Sequence, residues 1–273
     1  MATVLSQPAG GRTIDLLSGA ARDHALDRWV YVFTAALFIV ITLTGFMPDS
    51  LMKLELIKAG QRPPFPVVAH FHAVLMGSFL LFLLGQTVLM ATGRRDLHRR
   101  IGPVVYLLIP MLVVAGFLLA SATWHMVWYA AQNGPPEIRS AMLSLSSALD
   151  NILLLQIRIG ILFPLFLFLG LRARNSDLGF HKRMMIIGPA MALPAAFDRI
   201  VWLPATMPQS PLSTELYPLL ALAPLLVWDI FRNRRIHRAY WVLLAIYLPA
   251  ALAVHVAWNQ PWWHQAVHSL MGV

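Results

Sequence analysis

The strongest constraint on this chain of 273 residues is a series of seven long apolar segments separated by short polar loops. The segments are Trp29–Met47, Phe65–Ala91, Pro103–Tyr129, Leu145–Leu171, Met184–Leu203, Leu212–Ile230 and Tyr240–Trp258. Each is close to or above the roughly 20 residues that a membrane-spanning helix needs. Barrel strands are much shorter, about ten residues, and alternate in polarity. The sequence therefore predicts an all-α bundle of seven transmembrane helices.

Composition supports a membrane protein and excludes several classes of site. Only 12% of the residues are charged, whereas soluble domains carry about 25%. The absence of cysteine excludes disulfides, thiolate nucleophiles and cysteine-ligated metals. The net charge of +9 comes from basic residues clustered at helix ends, where lipid phosphates lie. We therefore expect a lipid bilayer, and no nucleic acid, as the partner of these charges.

The basic residues also predict the orientation of the bundle. The N-terminal tail and the loops Arg94–Arg100, Arg172–Arg183 and Arg232–Arg238 hold fifteen of the twenty-one Lys and Arg residues. Cytoplasmic loops of membrane proteins carry an excess of these residues. The pattern places the N-terminus inside and the C-terminus outside. It predicts a cytoplasmic tail over residues 1–28, with a short surface helix around Thr13–Arg28, a membrane domain over 29–258 and an outer interfacial segment over 259–273.

A short motif recurs at the inner face. Each copy follows an even-numbered segment and opens an odd-numbered one, which predicts repeated helical hairpins from segments 2–3, 4–5 and 6–7. The copies are His98-Arg99-Arg100, His181-Lys182-Arg183 and His237-Arg238. Two interpretations remain open. The residues form a cytoplasmic anion or cofactor site, or they anchor the inner face to lipid phosphates.

Several motifs together resemble those of an uncharacterised family of bacterial polytopic membrane proteins. They are His70-Phe-His72-Ala-Val-Leu-Met, then Gln86, Gly93–Gly102, Asp150, His181–Met184 and Arg199. The family shares an HxH at the start of one helix, a GRxxLHRxxG loop at its end and a later HKRxM loop. The resemblance implies a multi-pass protein of the bacterial inner membrane. In its layout of histidine-bearing hairpins, the chain is also loosely similar to membrane b-type cytochromes.

Three polar residues are predicted to lie at one level near the outer face. Counting helical rise from the inner boundary puts His72, His125 and Asp150 about 33–35 Å out. Two imidazoles and a carboxylate at one level suit a divalent metal. Alternatively, His72 and His125 would be axial ligands of a b-type haem, with His255 as a further candidate. Solvated histidines and a helix-capping Asp150 would produce the same pattern.

A second polar layer is predicted closer to the bilayer centre. Arg158 and Asp198 lie about 21–23 Å from the inner boundary by the same count. Charged residues at such depths usually face the bundle interior and pair with one another. We expect an Arg158–Asp198 ion pair, with Gln156, Arg199 and His255 nearby. The layer would be either a fastening between helices or an outward-opening polar pocket.

Two further features complete the set of polar candidates. Gln86 lies fourteen residues after His72, so both face the same side of one helix, and an interhelical hydrogen bond is expected for it. His264 and His268 lie four residues apart near the C-terminus, which resembles half of a zinc site in seven-helix membrane hydrolases.

Three functional hypotheses follow from these residues. The first, which the matched histidine depths favour, is a redox or electron-transport protein that binds haem or metal and exchanges electrons with quinone or a partner. The second is a non-catalytic accessory or assembly subunit of a larger membrane complex. The third is a small-molecule transporter or a metal-dependent membrane hydrolase that uses the Arg158 and Asp198 layer.

Overall fold

The computed structural model of the chain describes residues 15–17 and 24–273. These residues are 81% helical and contain no strand. The helices are α1 (Leu26–Lys58), α2 (Val67–Ala91), α3 (Arg95–Ile101), α4 (Val105–Asn133), α5 (Pro136–Arg172), α6 (Leu178–Ala190), α7 (Pro194–Phe197), α8 (Leu212–Asn233), α9 (Arg238–Ala257) and α10 (Pro261–Met271). The all-α prediction is confirmed. The predicted cytoplasmic tail and its surface helix fall largely on residues 1–14 and 18–23, which lie outside the described residues.

Within the described residues, six helical stretches are long and apolar enough to span a membrane. They are Leu26–Lys58, Val67–Ala91, Arg95–Asn133, Pro136–Arg172, Leu212–Asn233 and Arg238–Ala257. Four of the seven predicted segments fall within them, and Phe65–Ala91 and Tyr240–Trp258 overrun theirs by two residues and one residue. α1 extends beyond Met47 and α5 starts before Leu145, because both helices continue into polar sequence that hydropathy does not count as part of a span.

The fifth predicted segment, Met184–Leu203, is not a continuous helix. α6 ends at Ala190, and the next amides donate to carbonyls three residues back, as Met191 does to Gly188 and Leu193 to Ala190. Proline lacks an amide hydrogen and its ring opposes regular α-helical hydrogen bonding. Pro189 and Pro194 therefore account for the tightened turns between α6 and α7.

This interrupted segment occupies the centre of the bundle. α6 contacts α1, α5, α8 and α9, and α7 contacts α1 and α8. Nearly every residue of α6 from Gly179 onward is buried or partly buried. The surrounding backbones approach closely, since a Cβ atom at Gly45 of α1 would collide with the carbonyl oxygen of Ala196. The small residue at that position is what allows α1 to pack against α7.

Contacts between helices and loops identify the two ends of the bundle. At one end, here called the basic end, Arg174 bonds Tyr106 at 2.6 Å and Arg238 pairs with Asp177 at 2.9 Å. At the opposite end, Arg199 lies 3.3 Å from Asp49. Asp49 is 23 residues into α1, about 35 Å along that helix. The interrupted segment therefore runs from the basic end, where α6 begins, to the opposite end of α1.

Candidate functional site

The guanidinium of Arg183 in α6 has no exposed surface. Its Nε donates to Asp229 of α8 at 2.5 Å, and its Nη2 donates to the other oxygen of that carboxylate at 2.7 Å. Its Nη1 donates to Asp15 at 2.8 Å. Two carboxylates thus surround one buried cation, which satisfies the requirement that a buried charge be paired and hydrogen-bonded.

Residues 15–17 are held against this cation. The amide of Leu16 donates to the side chain of Asn233 at 2.8 Å. The carbonyl of Leu17 accepts a hydrogen bond from Lys182, whose ammonium also lies 5.0 Å from the ring centre of Tyr31. The prediction that Arg183 anchors lipid phosphate is wrong, because its donors are turned inward to carboxylates. Arg99 and Arg100 are exposed, and their anchoring role stays a prediction.

The recurring histidine motif has a geometric basis in the second of its three copies. Nδ1 of His181 lies 2.8 Å from the carbonyl oxygen of Gly170, eleven residues earlier. This ring thereby ties the start of α6 to the end of α5. In the first copy, Nδ1 of His98 is buried and has no hydrogen-bond partner among the described residues. The repeated hairpins stay a prediction.

The third copy departs from that pattern. Nδ1 of His237 accepts a hydrogen bond from the amide of Ala239 at 3.1 Å and so caps α9. Burial, together with the nearby Arg183, lowers the pKa of His237 to about 4 against the opposing effect of three aspartates. The ring is therefore neutral at physiological pH, as an accepting Nδ1 requires.

A second buried cluster joins α5, α8 and α9. Arg158 and Glu215 are each 5% exposed and form an ion pair, and Tyr247 donates to the second oxygen of Glu215 at 2.6 Å. The Arg158 guanidinium also lies 5.3 Å from the ring centre of Tyr247. The predicted Arg158–Asp198 pair is wrong. Sequence reasoning missed Glu215, although an acidic residue inside an apolar segment was a signal that could have identified it.

The remaining residues of the predicted pocket do not converge on Arg158. Gln156, Asp198 and His255 are exposed on the surface of the bundle, and Arg199 pairs with Asp49. A hollow of about 190 Å³, including its open mouth, lies beside Asp198. Ligand pockets usually measure about 300–1,000 Å³. The predicted outward-opening pocket around Arg158 and Asp198 is therefore not formed by these side chains.

A third cluster surrounds Asp150 at the opposite end. Its carboxylate accepts from Trp124 at 2.7 Å and lies 2.8 Å from Nδ1 of His264, while its backbone carbonyl accepts from Trp263 at 2.7 Å. His268 packs edge-on against Trp124, with ring centres 5.6 Å apart. Asp150 thus fastens α10 to α4 and α5.

The structure separates the predicted metal ligands. Asp150 bonds Trp124 and His264, while His72 lies beside Gly116 of α4, where a Cβ atom would be 3.7 Å from the imidazole. Nowhere in residues 15–17 and 24–273 do three His, Asp or Glu side chains come close enough to hold a metal ion. In the described residues, His72, His125 and Asp150 therefore do not form the predicted metal site.

The predicted haem ligands also differ in what their rings face. Nδ1 of His125 lies 2.9 Å from the carbonyl of Ser121 and Nε2 lies 3.0 Å from that of Met271, so both nitrogens are already engaged. His255 is exposed on α9. Of these three histidines, His72 is the one with a buried ring nitrogen, Nδ1, that lacks a hydrogen bond. The predicted joint role of the three in one haem site is not supported by these orientations.

The Arg158–Glu215 pair gives a direct test of the buried network. Replacing Glu215 with leucine leaves a buried guanidinium without its counter-charge, and we expect a loss of about 3–5 kcal/mol of stability. Arg158→Leu should behave similarly. The double substitution should lose far less than the sum, because no charge is left unpaired. Thermal unfolding in detergent measures all three.

Lys53→Ala serves as the control for that cycle, since Lys53 pairs with Asp49 on a partly exposed surface at 2.6 Å. Its effect should stay within about 1 kcal/mol. Additive losses in the Arg158 and Glu215 double variant would contradict a coupled buried pair.

Comparisons of the chain with protein families, with curated proteins and with solved structures give no match. The family resemblance of the His70–His72, Gly93–Gly102 and His181–Met184 motifs therefore stays a prediction. The conclusions about this chain rest on its own residues and on their geometry.

Proposed function

We propose that this chain is a multi-pass protein of a bacterial cytoplasmic membrane that acts as a non-catalytic accessory or assembly subunit of a larger membrane complex. The chain crosses the bilayer seven times, the fifth time through the interrupted segment α6–α7. The basic end faces the cytoplasm, in keeping with the excess of Lys and Arg there.

The state of the buried charges supports a structural role. Arg183 is neutralised by Asp15 and Asp229, and Arg158 by Glu215. Both clusters join several helices of the bundle. Such paired groups hold helices in register, and they supply no nucleophile or general base with access to a substrate.

The observation that carries the proposal is a pair of polar side chains on the outer surface. Leu155 of α5 and Val254 of α9 belong to one buried cluster with Trp258. One residue further along an α-helix the side chain turns by about 100°. Because α5 and α9 run in opposite directions, Gln156 and His255 turn toward the same side of the helix pair. Both are exposed there.

The two side chains also lie at one depth. Gln156 is 16 residues from Arg172 and His255 is 17 from Arg238, about 24–26 Å from the basic end. A polar side chain that faces hydrocarbon loses its hydrogen bonds to water, and hydrogen bonds between helices in membranes recover about 1 kcal/mol each. A partner helix carrying a polar side chain at this level would satisfy both groups.

Site-specific photocrosslinking in membranes tests this surface. We expect a photoreactive residue at position 156 or 255 to give a discrete adduct with one identified membrane protein, either a second subunit type or another copy of the chain. Leu81 of α2, 64% exposed and remote from α9, is the matched control and should react with lipid alone. The substitutions Gln156→Leu and His255→Leu should lower co-purification of that partner severalfold. Lipid adducts alone at all three positions would contradict the proposal.

The proposed orientation is tested with single cysteines, since the chain has none of its own. Ser140 lies at the opposite end and Ser176 at the basic end, and both are exposed. A membrane-impermeable maleimide should label Ser140→Cys in intact spheroplasts and Ser176→Cys only after permeabilisation. Labelling of Ser176→Cys in intact spheroplasts would reverse the orientation.

A redox function is the second candidate, and one observation favours it. His72 presents a buried ring nitrogen, Nδ1, without a hydrogen-bond partner, beside Gly116 of α4. A dithionite-reduced minus oxidised spectrum of the purified protein should then show a b-haem α-band that His72→Ala abolishes. A flat spectrum would remove haem from consideration.

A further inference from the structure

The last helix, α10, is held against the opposite end of the bundle by a small apolar cluster. Val267 has no exposed surface and Trp263 is 7% exposed, and both pack in one cluster with Trp124 of α4 and Leu153 of α5. A helix of eleven residues is marginally stable when it stands alone in water. α10 therefore depends on its docking contacts, and a change in those contacts decides whether it stays docked.

Two of the polar contacts that dock α10 are made by histidines, one in each half of the helix. Nδ1 of His264, on α10, lies 2.8 Å from the carboxylate of Asp150. Nε2 of His125, on α4, lies 3.0 Å from the backbone carbonyl of Met271, the last residue of α10. Gln86, by contrast, does not form its expected interhelical hydrogen bond, because both polar atoms of its amide lack a partner among the described residues.

The titratable side chains in these contacts come from three helices. α5 contributes Asp150, α4 contributes His125, and α10 contributes His264 and His268. The ring of His268 packs edge-on against Trp124. His264 and His268, whose spacing resembles half of a zinc site, thus contact different neighbours. Three of the four titratable groups gain a positive charge on protonation, and Asp150 is the carboxylate that faces His264.

Protonation of His264 strengthens its contact with Asp150. The side chain of His264 is 27% exposed, so its ring exchanges protons with water. The neutral ring offers the carboxylate a hydrogen bond alone, whereas the charged ring adds the attraction of an ion pair. The first half of α10 is therefore held more firmly when His264 is charged.

Protonation of His125 acts in the same direction. Its Nδ1 lies 2.9 Å from the carbonyl of Ser121 and its Nε2 lies 3.0 Å from that of Met271. A neutral ring has one N–H for these two carbonyls, and its other nitrogen can accept only from the Ser121 hydroxyl at 3.3 Å. An imidazolium donates to both carbonyls. Its charge also lies at the carboxyl terminus of α10, the end of a helix that attracts cations.

We propose that α10 is a clamp across the ends of α4 and α5 that is closed at acidic pH and loosens as the pH rises. Histidine titrates between about pH 5 and pH 8. At the acidic end of this range His264 and His125 are charged and hold α10 docked. Loss of the two protons removes the ion pair with Asp150 and one of the two N–H donors of His125, so the docked state loses stability as the pH rises.

The clamp goes beyond the proposed accessory function and is independent of it. In the proposed orientation α10 lies on the outer face of the bilayer, so the clamp would respond to the pH outside the cytoplasmic membrane. Its opening would expose the apolar side chains of Trp263 and Val267, which are buried when α10 is docked.

Thiol labelling of the full chain in detergent measures how often α10 opens. Val267→Cys places a thiol in the buried part of the interface, and Ser269→Cys places one at an exposed position of the same helix. The ratio of their maleimide labelling rates cancels the pH dependence of the thiol itself. We expect this ratio to be roughly tenfold higher at about pH 8 than at about pH 6, because the buried thiol reacts only when α10 is undocked.

Substitutions connect the response to the two histidines. Glutamine donates a hydrogen bond but gains no charge, so the combined His264→Gln and His125→Gln variant should give the same ratio at both pH values. His70→Gln is the matched control and should keep the full response, since His70 is exposed on α2 and its ring packs against Phe65. If the combined variant does not fold, His264→Gln alone should reduce the response to about threefold, because one of the two rings still titrates.

Hydrogen–deuterium exchange over Pro261–Met271 of the unmodified chain, corrected for the intrinsic rate at each pH, repeats the measurement without a cysteine. It decides the question if Val267→Cys itself undocks α10. Faster corrected exchange at the higher pH supports the clamp. A labelling ratio or a corrected exchange rate that does not change with pH overturns it, and so does a full pH response in the glutamine variants.

Discussion

The burial of Arg183 is the constraint on which the rest of the structure depends. A guanidinium with no exposed surface requires full neutralisation, and the chain provides this with Asp229 from α8 and Asp15 from the N-terminal segment. Because Arg183 belongs to α6, these contacts set the position of the central interrupted segment. α1, α5, α8 and α9 then pack around that segment. The arrangement of the bundle thus follows from pairing one cation at its basic end.

Hydropathy predicted six of the long helices because each contains an uninterrupted apolar run. Hydropathy could not predict the break between α6 and α7, since Met191, Leu193 and Pro194 are apolar residues like those of a continuous membrane-spanning helix. The two prolines were visible in the sequence. Whether a proline bends or interrupts a helix depends on the neighbours that satisfy the freed carbonyls, and these neighbours come from distant parts of the chain.

For the candidate sites, the sequence indicated the depth of a residue in the bundle but not the direction in which its side chain points. Counting helical rise placed His125 and Asp150 near one level, and the structure brings both near Trp124. The same count could not show that His125 faces two carbonyls or that His255 faces outward, because depth carries no information about which way a side chain points. It also could not pair Arg158 with Glu215, since two helices had to be placed side by side before the partner was defined.

The pairing of Arg183 has a consequence for the order in which the chain enters the membrane. Synthesis proceeds from the N-terminus, so Asp15 is already made when Arg183 emerges. Asp229 follows 46 residues later. During that interval the central segment holds a cation with half of its final counter-charge and with α8 and α9 still absent. Arg183 therefore gains its full counter-charge only when α8 packs beside α6, which ties the two halves of the chain together late in its synthesis.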